Sequence, residues 1–138
     1  MKKKALVKVV SNANIQDEDL IEVISPGIFE DIEGGYRTIY EETEISGMDG
    51  TLTTIYMYEN KVVLERVGST STKMVFALDE PAVALYNTPY GMLELTISTE
   101  KLDVDIDENG GKIYIEYDMA VAGQEPLRTK LNLSIEAK

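Results

Sequence analysis

The chain has 138 residues and a net charge of −12, from 25 Asp+Glu against 13 Lys+Arg, with no Cys and no His. Such acidity argues against nucleic acid and anionic membranes, whose phosphates demand clustered basic groups. Without Cys or His there is no disulfide framework, no thiolate zinc site, no Ser-His or Cys-His pair, and the commonest transition-metal ligand is missing.

The length favours one domain over residues 1–138, long enough for a core without staples. The opening "MKKKALVKVV" has the basic end of a signal peptide. Its apolar part is short and Lys8 interrupts it, so it reads as a first strand. No run approaches the ~20 apolar residues of a membrane span. The expectation is a soluble, cytoplasmic protein.

Period-2 patterning dominates the chain. Strand runs fall near 2–10, 19–25, 28–33, 36–45, 51–59, 61–67, 71–78, 82–87, 91–99, 101–107, 112–121 and 127–136, or about ten strands once neighbours merge. The later runs are clean. Ile113, Ile115, Tyr117, Met119 and Val121 share one face, and Leu127, Leu131, Leu133 and Ile135 another. Leu102, Val104 and Ile106 alternate with Asp103, Asp105 and Asp107. One dry face and one wet face is the mark of an antiparallel sheet. "DENGGK" is a hairpin signal, and "YENKV" a tight turn. "SGMDGT" reads as a hairpin turn rather than an anion nest, since it lacks phosphate-loop spacing. There is no convincing amphipathic helix, repeat or linker.

The earlier runs are less simple. Tyr36, Thr38, Tyr40, Glu42 and Glu44 share a face, as do Thr51, Thr53, Ile55 and Met57. So do Val62, Leu64 and Arg66, and Met74, Phe76 and Leu78. Turned inward, these faces give a partly polar cavity. A Glu inside must be paired, protonated or wet. Arg66 is the natural partner for Glu42 or Glu44, because guanidinium matches carboxylate bidentately. Turned outward, the same carboxylates sit in water. A one-residue slip of register inverts the assignment, so the pattern leaves both open.

Other motifs carry less. "DVDIDENGG" fails a calcium loop, whose sixth and twelfth positions need Gly and Glu but hold Glu108 and Tyr114. Asn132 opens a glycosylation sequon, which means nothing without secretion. In "YNTPYG" Pro89 fixes its own φ and Gly91 lets the chain turn. Tyr86 and Tyr90 then close one end of a barrel, or line a ligand mouth there.

Many short antiparallel strands imply a sandwich or a barrel, and pattern alone does not choose. The stretches "YEETEISGMDGTLTTIY", "ERVGSTSTKMVF" and "LYNTPYGMLEL" resemble the YwiB family, small bacterial proteins of uncharacterised function. The resemblance spans nearly the whole chain and is most specific from "SGMDGT" to "TPYG". It implies an all-β, antiparallel calycin-like barrel of eight to ten strands, related in architecture to lipocalins. It implies no established activity, cofactor or catalytic residue.

The leading expectation is a barrel that binds or senses a small molecule in a Tyr/Thr-lined interior. Its candidate residues are Tyr40, Glu42, Thr53, Arg66, Met74, Tyr86 and Tyr90, with no metal and no cofactor. Arg66 and Glu42 orient the ligand, the tyrosines stack on it, and Met74 fills irregular space. The alternative is an interaction module with a filled interior, compatible with a homodimer. An enzyme built on carboxylates is the weakest reading, since it needs a Glu of raised pKa in an open pocket.

Overall fold

The computed structural model describes residues 2–13, 20–42, 50–68, 71–78, 80–88, 91–121 and 126–138; for residues 12–13, 20–21 and 86–88 it describes the backbone alone. Among the described residues all regular structure is strand. The elements are β1 (Lys2–Ala13), β2 (Leu20–Ile32), β3 (Gly35–Glu41), β4 (Thr51–Tyr58), β5 (Val62–Gly68), β6 (Thr72–Phe76), β7 (Ala82–Thr88), β8 (Gly91–Asp107), β9 (Gly110–Val121) and β10 (Leu127–Ala137). The basic start of the chain is thus the first half of β1. Lys3 Nζ donates to the Glu108 carbonyl at 3.0 Å, tying that half to the β8–β9 hairpin.

Every pair of named strands is antiparallel, in the order β6-β5-β4-β3-β2-β1-β10-β9-β8-β7. The two ends of that order meet. β6 packs against β7 and β8, and a bridge joins Leu78 to Thr99, so the sheet curls into a nearly closed barrel. Curling removes most of the exposed edge that a flat ten-stranded sheet would offer.

Two pairs of expected runs merge, for different reasons. β2 runs straight through Pro26-Gly27. Pro26 lies just past the last β2–β3 pair, Gly27–Tyr40, and Gly27 is where the next strand comes close. A Cβ on Gly27 would lie 2.6 Å from the Ile39 carbonyl oxygen, so Gly is required there. β8 merges the runs 91–99 and 101–107 through a bulge: Thr99 pairs with Tyr117, Lys101 pairs with Glu116, and Glu100 is the extra residue. The bulge reverses which parity faces inward, from Leu95 and Ile97 to Leu102, Val104 and Ile106.

The turns follow their residues. Asn109 N donates to Asp107 Oδ1 at 2.8 Å, and Gly110 then takes a φ of 99° to enter β9. Tyr58 N donates to the Lys61 carbonyl at 2.8 Å across "YENKV". "SGMDGT" falls mostly, and "AGQEPL" largely, outside the described residues.

The interior is a continuous apolar cluster. Phe29, Ile55, Met57, Val62, Phe76, Ile97, Ile113 and Ile115 are fully buried in it. Phe29 stacks on Tyr36 with centroids 5.2 Å apart, and Phe76 meets Tyr117 at 4.8 Å. Leu78, expected on the inner face with Met74 and Phe76, is 46% exposed because β6 ends before it. No helix among the described residues is long and apolar enough to cross a membrane.

Candidate functional site

Register turns the ambiguous first half of the sequence into a graded wall. Read across β3, β4, β5 and β6, one inward row is Tyr36, Met57, Val62 and Phe76. The next is Thr38, Ile55, Leu64 and Met74. The third is Tyr40, Thr53, Arg66 and Thr72. Beyond it lie Glu42 and Thr51, joined by a 2.8 Å backbone bond from Glu42 N. The interior therefore passes from apolar to polar toward the connections at 43–49 and 69–70. Period 2 along each strand puts Thr53 on the same face as Ile55 and Met57, and pairing then aligns the polar ends.

Glu42 faces inward and is 6% exposed. Thr53, fully buried, donates to Glu42 Oε1 at 2.8 Å. The Tyr40 hydroxyl donates to the same carboxylate and has Thr53 as its other neighbour. Burial, and next the Glu42 charge, push the Tyr40 hydroxyl well above its ordinary pKa, while the Arg66 charge acts against them. Tyr117 reaches the same region from β9. Burial raises its hydroxyl too, opposed by Arg66 and by a hydrogen bond with Thr129 on β10. Arg66 thus bears on two buried tyrosines from different walls of the barrel.

The ion pair expected between Arg66 and Glu42 or Glu44 is corrected for Glu42. Among the described residues no ion pair joins it to Arg66, and Thr53 donates to its carboxylate instead. Glu44 lies outside the described residues. Arg66 Nε is buried with no hydrogen-bond partner, and so is the Thr72 hydroxyl on the strand paired with it. Ser25, Thr38 and Thr99 also hold buried hydroxyls without partners.

Of the seven residues expected to line a pocket, the structure brings four together: Tyr40, Glu42, Thr53 and Arg66. Met74 lies one row away, in the apolar row opposite Leu64. Tyr86 pairs with Leu93 through its backbone, and its side chain is not described. Tyr90 lies outside the described residues, as does Glu44. The corner "YNTPYG" does connect β7 to β8, with Thr88 paired to Gly91. Sequence reasoning missed Tyr117, Thr129 and Thr72. The signal was a hydroxyl-bearing aromatic on an otherwise aliphatic inward face, but only the β9–β10 register sets Thr129 opposite it.

A concavity lies outside the barrel, a groove of about 390 Å³ across β1, β10, β9 and β8. Lys8, Ser134, Lys112 and Asp105 form one row along its floor, and Val10, Asn132, Tyr114 and Asp103 the next. Beside it Arg128 binds Asp118 and Glu116, and Tyr114 donates to Glu116 at 3.0 Å. The aspartates of "DVDID" are a solvated face, with Asp105 opposite Lys112 and Asp103 opposite Tyr114. Among the described residues no group of three or more Asp, Glu, His or Cys is placed to hold a metal ion.

Comparison with known proteins agrees with this architecture. The family model described as a domain of unknown function, DUF1934, matches residues 7–133. The chain belongs to that family. One relative is the uncharacterized β-barrel protein YwiB of Bacillus subtilis (strain 168). It is 29% identical over 101 residues, which cover 73% of this chain and 69% of that protein. The crystal structure of the Bacillus subtilis ywiB protein superposes with a TM-score of 0.85 at 24% identity, covering 99% of this chain and 93% of that one. The YwiB likeness of "YEETEISGMDGTLTTIY" and its companions therefore holds, and so does the antiparallel barrel.

Proposed function

We propose that this DUF1934 protein is a cytoplasmic, non-catalytic barrel that seats a small polar molecule at the polar end of its interior. One observation carries the reading. Arg66 Nε is buried without a partner, in electrostatic reach of two buried tyrosine hydroxyls, and the neighbouring Thr72 hydroxyl is unpartnered as well. Buried donors left unmade cost about 1–3 kcal/mol each, more when charged. A ligand that accepts from them recovers that cost on binding.

The test is native mass spectrometry of protein purified without denaturation. The expected result is a small molecule retained in the native spectrum and lost on unfolding. Arg66→Ala should release it. Thr72→Val should weaken retention without lowering the melting temperature of the ligand-free protein, because it removes only an orphan hydroxyl. Native protein that carries no small molecule, and takes none up from cell extract, overturns the reading.

One observation favours a second reading, an interaction module that pairs with another copy of itself. Val83 and Met92 are 65% and 61% exposed, with Leu85 beside them, on and next to the terminal strand β7. Light scattering of the wild type against a Val83→Lys, Leu85→Lys variant tests it. A dimer that the variant converts to monomer supports the reading, and a monomeric wild type sinks it.

A further inference from the structure

We infer that the ligand of the interior site is a small zwitterion, with its acid group on Arg66 and Thr72 and its amine on Glu42. The inference rests on the binding reading above and adds the chemical class.

The polar end holds two opposite formal charges. Both act on the Tyr40 hydroxyl, with opposite sign, so they share one neighbourhood. Yet among the described residues no ion pair joins them. Glu42 takes its hydrogen bonds from neutral hydroxyls, those of Thr53 and Tyr40. Charges in a low-dielectric interior are costly unless they are compensated. A lone anion would gain Arg66 but face the Glu42 carboxylate. A lone cation would gain Glu42 but face the guanidinium. A neutral guest would leave both charges as they are. A zwitterion alone complements each.

Placement agrees. Arg66 and Thr72 are directly paired across β5 and β6, and the Arg66 Nε–H and the Thr72 hydroxyl are both buried donors without a partner. A carboxylate accepts from two donors at once. Glu42 follows directly on β3, two strands from Arg66. At roughly 4.8 Å between neighbouring strands, the two backbones stand about 10 Å apart. A guest of a few atoms spans that separation only by seating its ends on the two side chains rather than between the backbones. Tyr40 and Tyr117 flank it from two walls.

The experiment uses the whole chain and titrates glycine, β-alanine and γ-aminobutyrate by calorimetry and thermal shift. Propionate and propylamine serve as the two half-ligands. One member of the series should bind, with each half-ligand weaker by on the order of tenfold or more. Thr72→Val and Glu42→Gln should each weaken that member while circular dichroism stays unchanged. Should Glu42→Gln fail to fold, the half-ligand comparison on the wild type still decides. Propionate binding as tightly as the zwitterion, or no member of the series binding, overturns the inference. A neutral or purely anionic molecule retained in the native mass spectrum overturns it too, and leaves the binding reading standing. A native protein that retains nothing and binds no probe overturns both.

Discussion

Thr53 Oγ1 donates a 2.8 Å hydrogen bond to Glu42 Oε1 in the barrel interior, across adjacent strands. The bond supplies a donor to a carboxylate that has left water. Thr53→Val keeps the shape and removes the donor. It should destabilise the barrel by about 1–3 kcal/mol, the usual cost of leaving a buried acceptor unmade. Thr53→Ser should restore most of that. Urea denaturation reads the difference, and an unchanged midpoint for Thr53→Val would mean the bond contributes nothing.

Thr38 makes the opposite case with the same residue type. Its hydroxyl is buried, without a partner, on a strand flanked by Phe29 and Ile55. Thr38→Val replaces an orphan hydroxyl with a methyl of similar size. It should stabilise the barrel by about 1 kcal/mol. A loss of that size instead would reveal a bond to the hydroxyl that the structure does not show.

These two threonines mark how far the sequence could be read. Period 2 grouped Thr38 with Tyr36 and Tyr40, and Thr53 with Ile55 and Met57, but left open whether those faces turn inward. The register turns both inward. Period 2 could not say which has a partner, because partners are set by cross-strand register. Register also decided Glu42. The alternation put it on one face with Tyr40, and only pairing with β4 and β5 made that face interior. The late strands β9 and β10 were the most legible, since apolar and polar residues largely alternate there. Leu127, expected on the dry face, is exposed because it opens β10 at the barrel's end. β8 misled because its bulge switches parity, which in a linear pattern looks like two strands. The pairing of Arg66 with Glu42 or Glu44 was inferred from charge and guanidinium–carboxylate geometry, and for Glu42 the register sets Thr53 between them as the hydrogen-bond donor.

Gly27 sits where β2 meets Tyr40. A Cβ there would stand 2.6 Å from the Ile39 carbonyl oxygen and 3.2 Å from Tyr40 Cβ. Gly27→Ala should therefore push β3 outward and cost about 1–3 kcal/mol, the range for overpacking. It should also weaken any ligand held beside Tyr40. A variant as stable as the wild type would mean that β3 yields freely at this point.

On the outer face, Arg128 binds Asp118 and Glu116. Its Nη2 lies 3.1 Å from Asp118 Oδ2 and its Nη1 3.1 Å from Glu116 Oε1. Hydrogen bonding to Arg128 lowers the pKa of Asp118, and bonding to Tyr114 and then Arg128 lowers that of Glu116. A carboxylate held below its unfolded pKa adds stability that is present above the unfolded value, near 4. That stability disappears as pH falls through the depressed native value. Arg128→Met keeps much of the apolar stem and drops the charge. Its stability deficit should be full at neutral pH and shrink as acid protonates both partners. A deficit independent of pH would assign the effect to packing.

The two buried tyrosines give the complementary prediction at the alkaline end. Burial raises the hydroxyls of both Tyr40 and Tyr117, and Glu42 adds to the effect at Tyr40. A group whose native pKa exceeds its unfolded one contributes stability that is intact below the unfolded value, about 10 for Tyr. That contribution is lost as pH climbs toward the raised native value. Phenolate absorbance should then show a first group of the 8 tyrosines titrating normally. Tyr40 and Tyr117 should ionise only as the barrel unfolds, in a late step that coincides with the loss of circular dichroism. Tyr40→Phe and Tyr117→Phe should each remove one phenolate from that step. All eight titrating together while the sheet stays intact would place both hydroxyls in contact with solvent, and would take from Arg66 the buried surroundings on which the ligand site depends.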